Sequence, residues 1–551
     1  GLLTIVTAVR AMSISVTVTL LSGTHATVTL PGDATAADLR QKAQRSLQTP
    51  LGKLISASGT LLGASGTLAQ SGVQNGDTIT AVTQAVAVAA SDRAFALIRA
   101  DGSVVTWGCP DGGGDSSTVQ HKLHDVLQIK AARSAFAALR EDGVVVSWGC
   151  LYAGSSDSMA SSSESDSSVV NEVTVKSIQN QLRDVRQIQA TRSAFAAIKE
   201  DGSVITWGAL EAGGDSGLVR DQLRNVRLIQ ASNSAFAALR SDGTVVTWGD
   251  YEMGGCCSHV RSQLKDVLHI IGCREGFYAI TANGHVVSWG FFDELNVRLP
   301  DMHSTLTEVD QFQGCEYAWA AVNKDGQLAV WDFFDGPRNS LRHFEEVSGI
   351  QVCGFGDHVA FAALRRDGSV MTWGRPFGRL VQSQLVNVVQ IQASALAFAA
   401  LRSDGSVVTW GDKRAADARE VQSQLQNVKA IQASSHAFAA QREDGSVVAW
   451  GARGSGGCTG AVQGQLKNVT CIQANPFAFA AIRADGSVVT WGCPASGGDS
   501  KQVKEQLGRS EEDDRILSQA LAEAAAARAA KAKATAQGKP RAKAKAKPRA
   551  K

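Results

Sequence analysis

Residues 226–249 read V-R-L-I-Q-A-S-N-S-A-F-A-A-L-R-S-D-G-T-V-V-T-W-G, and this phrase decides the fold. It holds three short runs rich in apolar and β-branched residues, which are typical of β-strands: 226–231, 235–240 and 244–248. The Ser241-Asp242-Gly243 step predicts a hairpin turn, because Asp tolerates turn geometry and Gly adopts positive φ at little steric cost. The second strand is therefore expected to fold back onto the third.

Copies of this phrase recur through most of the chain, and each copy ends in a Trp-Gly pair except the one at Trp331, which Asp332 follows. The ten tryptophans follow one another at steps of 41, 59, 41, 41, 42, 42, 37, 40 and 41 residues: Trp107, Trp148, Trp207, Trp248, Trp289, Trp331, Trp373, Trp410, Trp450 and Trp491. A period of about 40 residues indicates a β-rich repeat protein whose units must stack to bury their faces. We expect the repeated Trp and Phe to be core, with small Ala positions toward a central axis and bulky ones between neighbouring sheets.

The D-G-S-V-V-T-W-G phrase resembles the repeat of the RCC1 family (regulator of chromosome condensation) over about residues 85–508. The resemblance implies a mainly β protein, a β-propeller of about ten short repeats. Two features depart from the family: its Gly-x-x-His before the Ala-Leu pair is mostly replaced, as at Ala235, and the spacing is shorter. Ten units also exceed the usual roughly four to eight blades. Either the ring is unusually large, or about seven units close and the rest continue as an open arc.

Residues 12–83 are predicted to form a separate small α+β domain, preceded by a lead segment at 1–11. Alternating apolar residues on either side of Ser22-Gly23 predict a β-hairpin. Thr35, with Asp38 three residues on, predicts the start of a helix that ends before Pro50, and later strands follow. The order strand, strand, helix, strand, strand resembles the ubiquitin-like β-grasp.

This second resemblance implies what the small domain does. No Gly-Gly end follows Val82, so conjugation to target proteins is not expected. An integral domain of this kind is either a docking module for the ubiquitin machinery or a structural adaptor. We place its docking surface at Leu54 and Ile55.

Residues 84–508 hold the repeats, and 509–551 are predicted to form an Ala-rich helix followed by a basic, disordered tail. From residue 531 onward there are nine Lys or Arg and no acid; the chain carries +2 in total, so the remainder carries −7. One hypothesis is salt-sensitive, sequence-indifferent contact with nucleic acid. An import signal or a solubilising tail is the alternative. The candidate contacts are Lys539, Arg541, Lys543, Lys545, Lys547, Arg549 and Lys551.

Targeting and chemistry leave few options open. Ten Cys lack paired spacing, and neither a signal peptide nor an apolar run near ~20 residues occurs, which favours an intracellular protein, cytoplasmic or nuclear, without membrane contact. Phosphate-cradling, nucleophile-elbow and zinc-protease motifs are absent from the sequence. Cys256-Cys257 with His259 lacks a second matching pair for zinc. We therefore predict no catalytic residue, no metal and no cofactor.

Two functions fit this sequence. The first is a non-enzymatic scaffold that offers loops after the Trp-Gly pairs to protein partners, ubiquitin-pathway components among them, through Asp111, Asp115, Asp215, Asp250, His259 and Arg453. The alternative, implied by the RCC1 resemblance, is guanine-nucleotide exchange on a small GTPase, with the basic tail as a tether. We prefer the scaffold, because of the departures from the family repeat.

Overall fold

The computed structural model describes residues 13–20, 23–31, 34–47, 51–57, 62, 68–69, 71–83, 86–99, 101–151, 178–283, 286–290, 309–315, 318–332, 342–354, 359–374 and 381–507. The first of these form a mixed four-stranded sheet and a helix: β1 Ile14–Leu20, β2 His25–Leu30, α1 Ala36–Leu47, β3 Leu51–Ile55 and β4 Thr78–Thr83. The strand order is β2-β1-β4-β3. β1 and β4 are parallel, and the other two pairs are antiparallel.

The N-terminal sheet and α1 enclose a core of their own. Alternate residues of β1, such as Val16 and Val18, are buried, and Leu39 lies on the buried face of α1. The helix begins with reciprocal hydrogen bonds: the Thr35 N–H donates to the Asp38 carboxylate (2.9 Å), and the Asp38 N–H donates to Thr35 Oγ1 (3.2 Å). These bonds lower the pKa of Asp38. The hairpin and the helix start are present as the sequence predicts.

Ten antiparallel sheets follow in the described residues, numbered here in chain order. In each of them the second strand lies between the first and the third, and sheet 6 adds a fourth strand beside its third. The strands are Ala87–Ala90, Ala94–Ile98 and Val104–Gly108 in sheet 1; Val126–Ala131, Ala135–Arg140 and Val145–Gly149 in sheet 2; Val185–Ala190, Ala194–Lys199 and Val204–Gly208 in sheet 3; Val226–Ala231, Ala235–Arg240 and Val245–Gly249 in sheet 4; Val267–Gly272, Gly276–Thr281 and Val286–Gly290 in sheet 5; Val309–Cys315, Ala318–Asn323, Leu328–Asp332 and Arg342–Phe344 in sheet 6; Val347–Cys353, Ala360–Arg365 and Val370–Gly374 in sheet 7; Val388–Ala393, Ala397–Arg402 and Val407–Gly411 in sheet 8; Val428–Ala433, Ala437–Arg442 and Val447–Gly451 in sheet 9; Val469–Ala474, Ala478–Arg483 and Val488–Gly492 in sheet 10. Short helices α2 (Lys413–Ala416) and α3 (Lys504–Leu507) lie after sheets 8 and 10.

The two faces of each sheet differ in side-chain size. In sheet 4, Phe236 stacks on Trp248 with 5.3 Å between ring centroids, and this aromatic face packs on the Ala face of sheet 3, which includes Ala194. The other face of sheet 4 carries Ala235 and receives Phe277 of sheet 5. Strand alternation therefore places both the small and the bulky side chains between sheets, with the Ala face of one sheet against the aromatic face of the next. The Phe–Trp stack recurs at 5.1–5.4 Å in nine sheets of the described chain.

In several sheets a tryptophan also bonds to the connection that precedes the sheet. The Trp248 indole N–H donates to the carbonyl of Gly213 (3.0 Å), and Trp148, Trp289 and Trp491 make the equivalent bond at 2.9–3.0 Å. Gly213 has φ +90°, and a Cβ there would lie 2.6 Å from Cδ2 of Phe236. The glycine is therefore required both by its backbone conformation and by the close approach of the ring.

The first and tenth sheets contact each other, so the described contacts run in one continuous order from sheet 6 through sheets 10 and 1 to sheet 5. Phe95 and Trp107 of sheet 1 share a core with Ala478 of sheet 10, and the Trp107 indole N–H donates to the Gly497 carbonyl (3.1 Å). Described contacts also join sheets 1 to 5 and sheets 6 to 10 in sequence. The alternative of about seven closed units plus an open arc is therefore wrong. The molecule is a repeat β-propeller whose blades mostly have three strands.

The Asp-Gly turns lie at one end of the ring, which we call the Asp-Gly end. In sheet 4, Asp242 Oδ1 accepts from the N–H (3.0 Å) and the hydroxyl (2.6 Å) of Thr244, and Gly243 has φ +78°. The Gly243 carbonyl accepts from the Val267 N–H of sheet 5 (3.0 Å). A bond of this kind forms at eight of the described turns, which therefore link one sheet to the next.

Acid is expected to weaken these turns. Hydroxyl donors first, and backbone N–H donors second, hold the pKa below the ordinary 3.8 at Asp201, Asp242, Asp367, Asp404 and Asp444. A carboxyl with a lower pKa when folded stabilises the fold above its unfolded pKa, and this stabilisation is lost as the pH falls. Burial raises the pKa of Asp92 and Glu141, which opposes part of the loss.

We therefore expect the thermal unfolding midpoint to fall as the pH is lowered from about 5 to about 3. A variant with all five turn aspartates changed to Asn keeps an oxygen acceptor and should show a shallower fall. A midpoint that stays constant or rises over this range in the unmodified protein would contradict the role given to these turns.

The N-terminal domain contacts sheet 2 at the Asp-Gly end. Arg40 of α1 donates to the carboxylates of Asp125 and Glu141, and its side chain is buried. Burial raises the pKa of Glu141, while the Arg40 charge acts in the opposite direction. The domain therefore occupies part of the Asp-Gly end and leaves the opposite end of the ring uncovered by these contacts.

Candidate functional site

The opposite end, which we call the loop end, carries two sets of connections. The axial turns join the first strand of a sheet to the second, and those described are 91–93, 132–134, 191–193, 232–234, 273–275, 394–396, 434–436 and 475–477. The rim segments follow the Trp-Gly pairs, at 109–117, 209–217, 250–258, 412–419, 452–460 and 493–501. Both sets place side chains where no strand constrains their identity, and such positions commonly carry function.

Hydroxyl groups hold several of the axial turns against their rim segments. Ser91 Oγ accepts from the Ala94 N–H (3.0 Å) and donates to the Gly112 carbonyl (2.8 Å). Thr191 and Ser232 bond in the same way to the rim segments of sheets 3 and 4, at 3.1 and 2.8 Å. The loop end is therefore built on fixed backbone.

Backbone bonds also connect the axial turns to one another around the ring. Asp92 N–H donates to Arg133 O (3.0 Å), Arg133 N–H to Arg192 O (2.8 Å), Arg192 N–H to Asn233 O (2.9 Å) and Asn233 N–H to Arg274 O (3.0 Å). On the far side, Ala395 bonds to Ser435 and Ser435 to Pro476, at 2.9 and 3.0 Å. The middle residue of each of these turns therefore lies next to that of its neighbour.

A cavity of about 320 Å³ lies among the axial turns of sheets 10, 1, 2, 3 and 4. Its charged lining is Asp92, Arg133 and Arg192, with Asn233 and Asn475 beside them. Arg133 Nε donates to Asp92 Oδ2 (3.1 Å). Burial raises the pKa of Asp92, and the positive charges of Arg133 and Arg192 oppose that rise. The cavity is polar and carries more positive than negative charge.

The rim holds the most exposed large apolar side chains among the described residues. Leu210 is 67% exposed and Tyr251 is 64% exposed on the rim segments of sheets 3 and 4. Leu218, just beyond the first of these segments, is fully exposed. Side chains of this size leave water when a partner covers them, so they are candidate contacts.

Charge is unevenly distributed around the rim. The segments 109–117, 209–217 and 250–258 contain no Lys or Arg, and their acids are Asp111, Asp115, Glu211, Asp215, Asp250 and Glu252. The segments of sheets 8 and 9 carry Lys413, Arg414, Arg419 and Arg453, with Asp412 and Asp417 beside them. Among the described segments, those of sheets 1, 3 and 4 are thus acidic, whereas those of sheets 8 and 9 have a small excess of positive charge.

The structure places all six sequence-predicted loop residues in connections that follow Trp-Gly pairs. Three carboxylates also shape their segments by accepting from the N–H two positions on: Asp115 (2.8 Å), Asp215 (2.7 Å) and Asp250 (2.9 Å). Asp111, His259 and Arg453 are exposed in short helices. They are distributed around the ring, so they do not form one compact cluster.

Two other groups of contacts were predicted, one on the N-terminal domain and one in the basic tail. Leu54 is only 2% exposed and belongs to the N-terminal core, so its assignment to a docking surface is wrong; alternation along β3 turns it inward and leaves Ile55 half-buried. The basic residues of the tail, from Lys539 to Lys551, lie outside the described residues.

Sequence reasoning did not find Arg133, Arg192, Arg274, Leu210 or Tyr251. A signal was available at the arginines: the middle position of the axial turn changes from copy to copy, while Ala-Phe two residues on is kept in most repeats. A variable position on a repeated frame points to the surface rather than to the core. Leu210 and Tyr251 follow no repeated pattern, and only the structure shows their exposure.

The described residues also bear on metal binding, thiol chemistry and membrane insertion. There, no group of three or more His, Cys, Asp or Glu could hold a metal ion. Cys257 is buried, which raises the pKa of its thiol. In the same residues, no helix combines the length and apolar character needed to cross a bilayer.

Comparison with known proteins gives structural likenesses only. No family model and no curated protein matches the chain. Prp20p of Saccharomyces cerevisiae is 16% identical, with 50% of this chain and 73% of that one covered and a TM-score of 0.26. Human WBSCR16 is 16% identical, with 55% and 79% covered and a TM-score of 0.27. A structure of Kap60 bound to yeast RCC1 (Prp20) gives 14% identity, 67% and 80% coverage and a TM-score of 0.28.

TM-scores of this size at these identities do not establish a family. The fold assignment therefore rests on strand pairing, on the contacts between successive sheets and on the bond from Trp107 to Gly497.

Proposed function

We propose that the chain is a non-enzymatic, RCC1-like interaction scaffold that binds a protein partner at the loop end. The exposure of Leu210 and Tyr251 on neighbouring sheets carries this proposal. Large apolar side chains at a rigid surface supply most of the binding energy when a partner removes them from water. The clamped axial turns supply the rigidity, so little conformational entropy is lost on binding.

We further propose that the N-terminal domain is a ubiquitin-like second docking module. Its mixed sheet, with β1 and β4 parallel at the centre and one helix packed on the core, supports this assignment. The Arg40 contacts with Asp125 and Glu141 support a fixed placement on the ring. Such a module would present components of the ubiquitin pathway at the Asp-Gly end while another partner occupies the loop end.

Partner capture from cell extract tests the scaffold function. The change of both Leu210 and Tyr251 to Ser is expected to reduce recovery of the main partner at least about tenfold, since exposed apolar anchors dominate such interfaces. Val389→Ser is the matched control, because Val389 is also more than half exposed but lies in a strand of sheet 8.

Equal recovery by all three proteins would contradict binding at the loop end. A captured small GTPase whose nucleotide release is stimulated by the ring would replace the scaffold with an exchange factor, as the RCC1 resemblance implies.

A further inference from the structure

We propose that the axial turns of sheets 1 to 5 bind the carboxylates of an acidic, extended peptide segment of the partner. This inference rests on the proposed scaffold function and names the chemistry that the loop end recognises. We call the middle residues of these five turns the cationic arc: Asp92, Arg133, Arg192, Asn233 and Arg274.

The cationic arc brings like charges together on fixed backbone. Arg133 and Arg192 are joined by a backbone bond of 2.8 Å, so their side chains start from adjacent positions, and Arg274 is two turns further on. The middle positions of these turns hold three arginines and one carboxylate, Asp92, which pairs with Arg133. Glu275, buried in the turn of sheet 5, adds a second carboxylate, so the five turns still carry more positive than negative charge. Adjacent like charges oppose folding, so an anionic ligand that neutralised them would bind favourably.

The rest of the axial ring does not repeat this charge. The turns of sheets 8, 9 and 10 have Ala395, Ser435 and Pro476 at the middle position, and the turns of sheets 6 and 7 lie mostly outside the described residues. Because the backbone frame is shared, the difference lies in the side chains alone. The described axial mouth therefore has a cationic side and an uncharged side.

The carboxylates of a short peptide suit this arc better than the continuous phosphates of a nucleic acid. Arginine offers a planar fork of donors that binds a carboxylate with two parallel hydrogen bonds. Outside the arc, the rim segments of sheets 1, 3 and 4 carry six acids and no Lys or Arg, which would repel the continuous phosphates of a nucleic acid. A peptide avoids this repulsion, because a short acidic run can enter the cavity while its flanks pass over the rim.

The cavity and the apolar rim also match a peptide in size and chemistry. About 320 Å³ is enough for a few side chains rather than for a folded domain. Leu210 and Tyr251 lie on the rim segments of sheets 3 and 4, the same sheets that supply Arg192 and Asn233. The site thus favours an acidic centre followed by apolar residues.

Fluorescence anisotropy with a labelled peptide of six glutamates and its six-glutamine counterpart tests the proposal on the full chain. We expect the acidic peptide to bind and the glutamine peptide to bind at least about tenfold more weakly. Arg192→Gln and Arg274→Gln are each expected to weaken acidic-peptide binding about tenfold. Arg224→Gln, an exposed arginine at the Asp-Gly end of the ring, is the matched control and should change binding less than about twofold.

Three results would overturn the proposal: no binding of the acidic peptide, equal weakening by Arg224→Gln, or displacement by inorganic phosphate or a thymidine oligonucleotide at the same charge concentration. Circular dichroism of each variant separates loss of the site from loss of the fold. If the acidic peptide does not bind but recovery of the partner still depends on Leu210 and Tyr251, the peptide site is contradicted and the scaffold function is not. If the acidic peptide binds but recovery of the partner does not depend on Leu210 and Tyr251, the proposed partner surface on the rim is contradicted instead.

Discussion

Gly456→Val is expected to lower the free energy of unfolding by about 3 kcal/mol or more, whereas Gly454→Val in the same rim segment should change it by less than about 0.5 kcal/mol. Gly456 has φ +91°, and a Cβ there would lie 2.5 Å from Cδ2 of Phe479. Valine therefore adds both backbone strain and a clash with a buried ring. At Gly454 no heavy atom lies within 4 Å of the position that a Cβ would occupy, so valine fits there.

The same substitution at Gly497 extends this prediction to the contact between sheets 10 and 1. Gly497 has φ +87°, and its Cβ would lie 2.7 Å from Cδ2 of Phe95, about 400 residues away in sequence. Gly497→Val should therefore cost about as much as Gly456→Val. In a Phe95→Ala background the cost of Gly497→Val should fall by at least about 1 kcal/mol, because the ring that clashes is gone.

Denaturant unfolding of the four proteins gives the coupling between Gly497 and Phe95. Additive costs would mean that sheet 10 does not lie on sheet 1. The Gly454→Val protein controls for the effect of a β-branched residue in a rim segment.

Trp248→Ala is expected to destabilise the ring by about 3–5 kcal/mol, the range for removing a buried aromatic side chain. Trp248 is buried, stacks on Phe236 and donates its indole N–H to Gly213. Its loss would leave a cavity between sheets 3 and 4 and an unpaired carbonyl. Chemical denaturation followed by circular dichroism measures the effect.

Trp450 offers a comparison that isolates the indole hydrogen bond. It stacks on Phe438 like the other tryptophans, but its buried Nε1 makes no hydrogen bond within the described residues. The segment before it contains the helix Lys413–Ala416, where several other copies have a Gly-Gly loop. Trp248→Phe should therefore cost about 1 kcal/mol more than Trp450→Phe. Equal costs would show that the bond to Gly213 adds no stability.

The repeat architecture was predictable because each unit carries its own signals. The strands 226–231 and 235–240 appear where predicted, and the third strand begins one residue later, at Val245. The Asp242-Gly243 turn also forms as expected. These features depend on residues close in sequence, so one copy of the phrase contains enough information to place them.

The closure of the ring and the position of the Ala face were not predictable in this way. Both depend on contacts between units, such as Phe95 with Gly497. Because the copies of the repeat have similar sequences, the sequence does not specify which copy packs against which. The cationic arc was missed for the opposite reason. Arg133, Arg192 and Arg274 are far apart in sequence, and only backbone bonds between sheets bring them onto one arc of neighbouring turns.

A crystal structure is the most direct test of the central claim that all ten sheets form one closed ring. In a closed ring of ten, the Trp107 indole N–H is expected within hydrogen-bonding distance of the Gly497 carbonyl, with Phe95 packed against sheet 10. A ring of fewer sheets, with Trp107 facing solvent or a sheet other than the tenth, would contradict this claim.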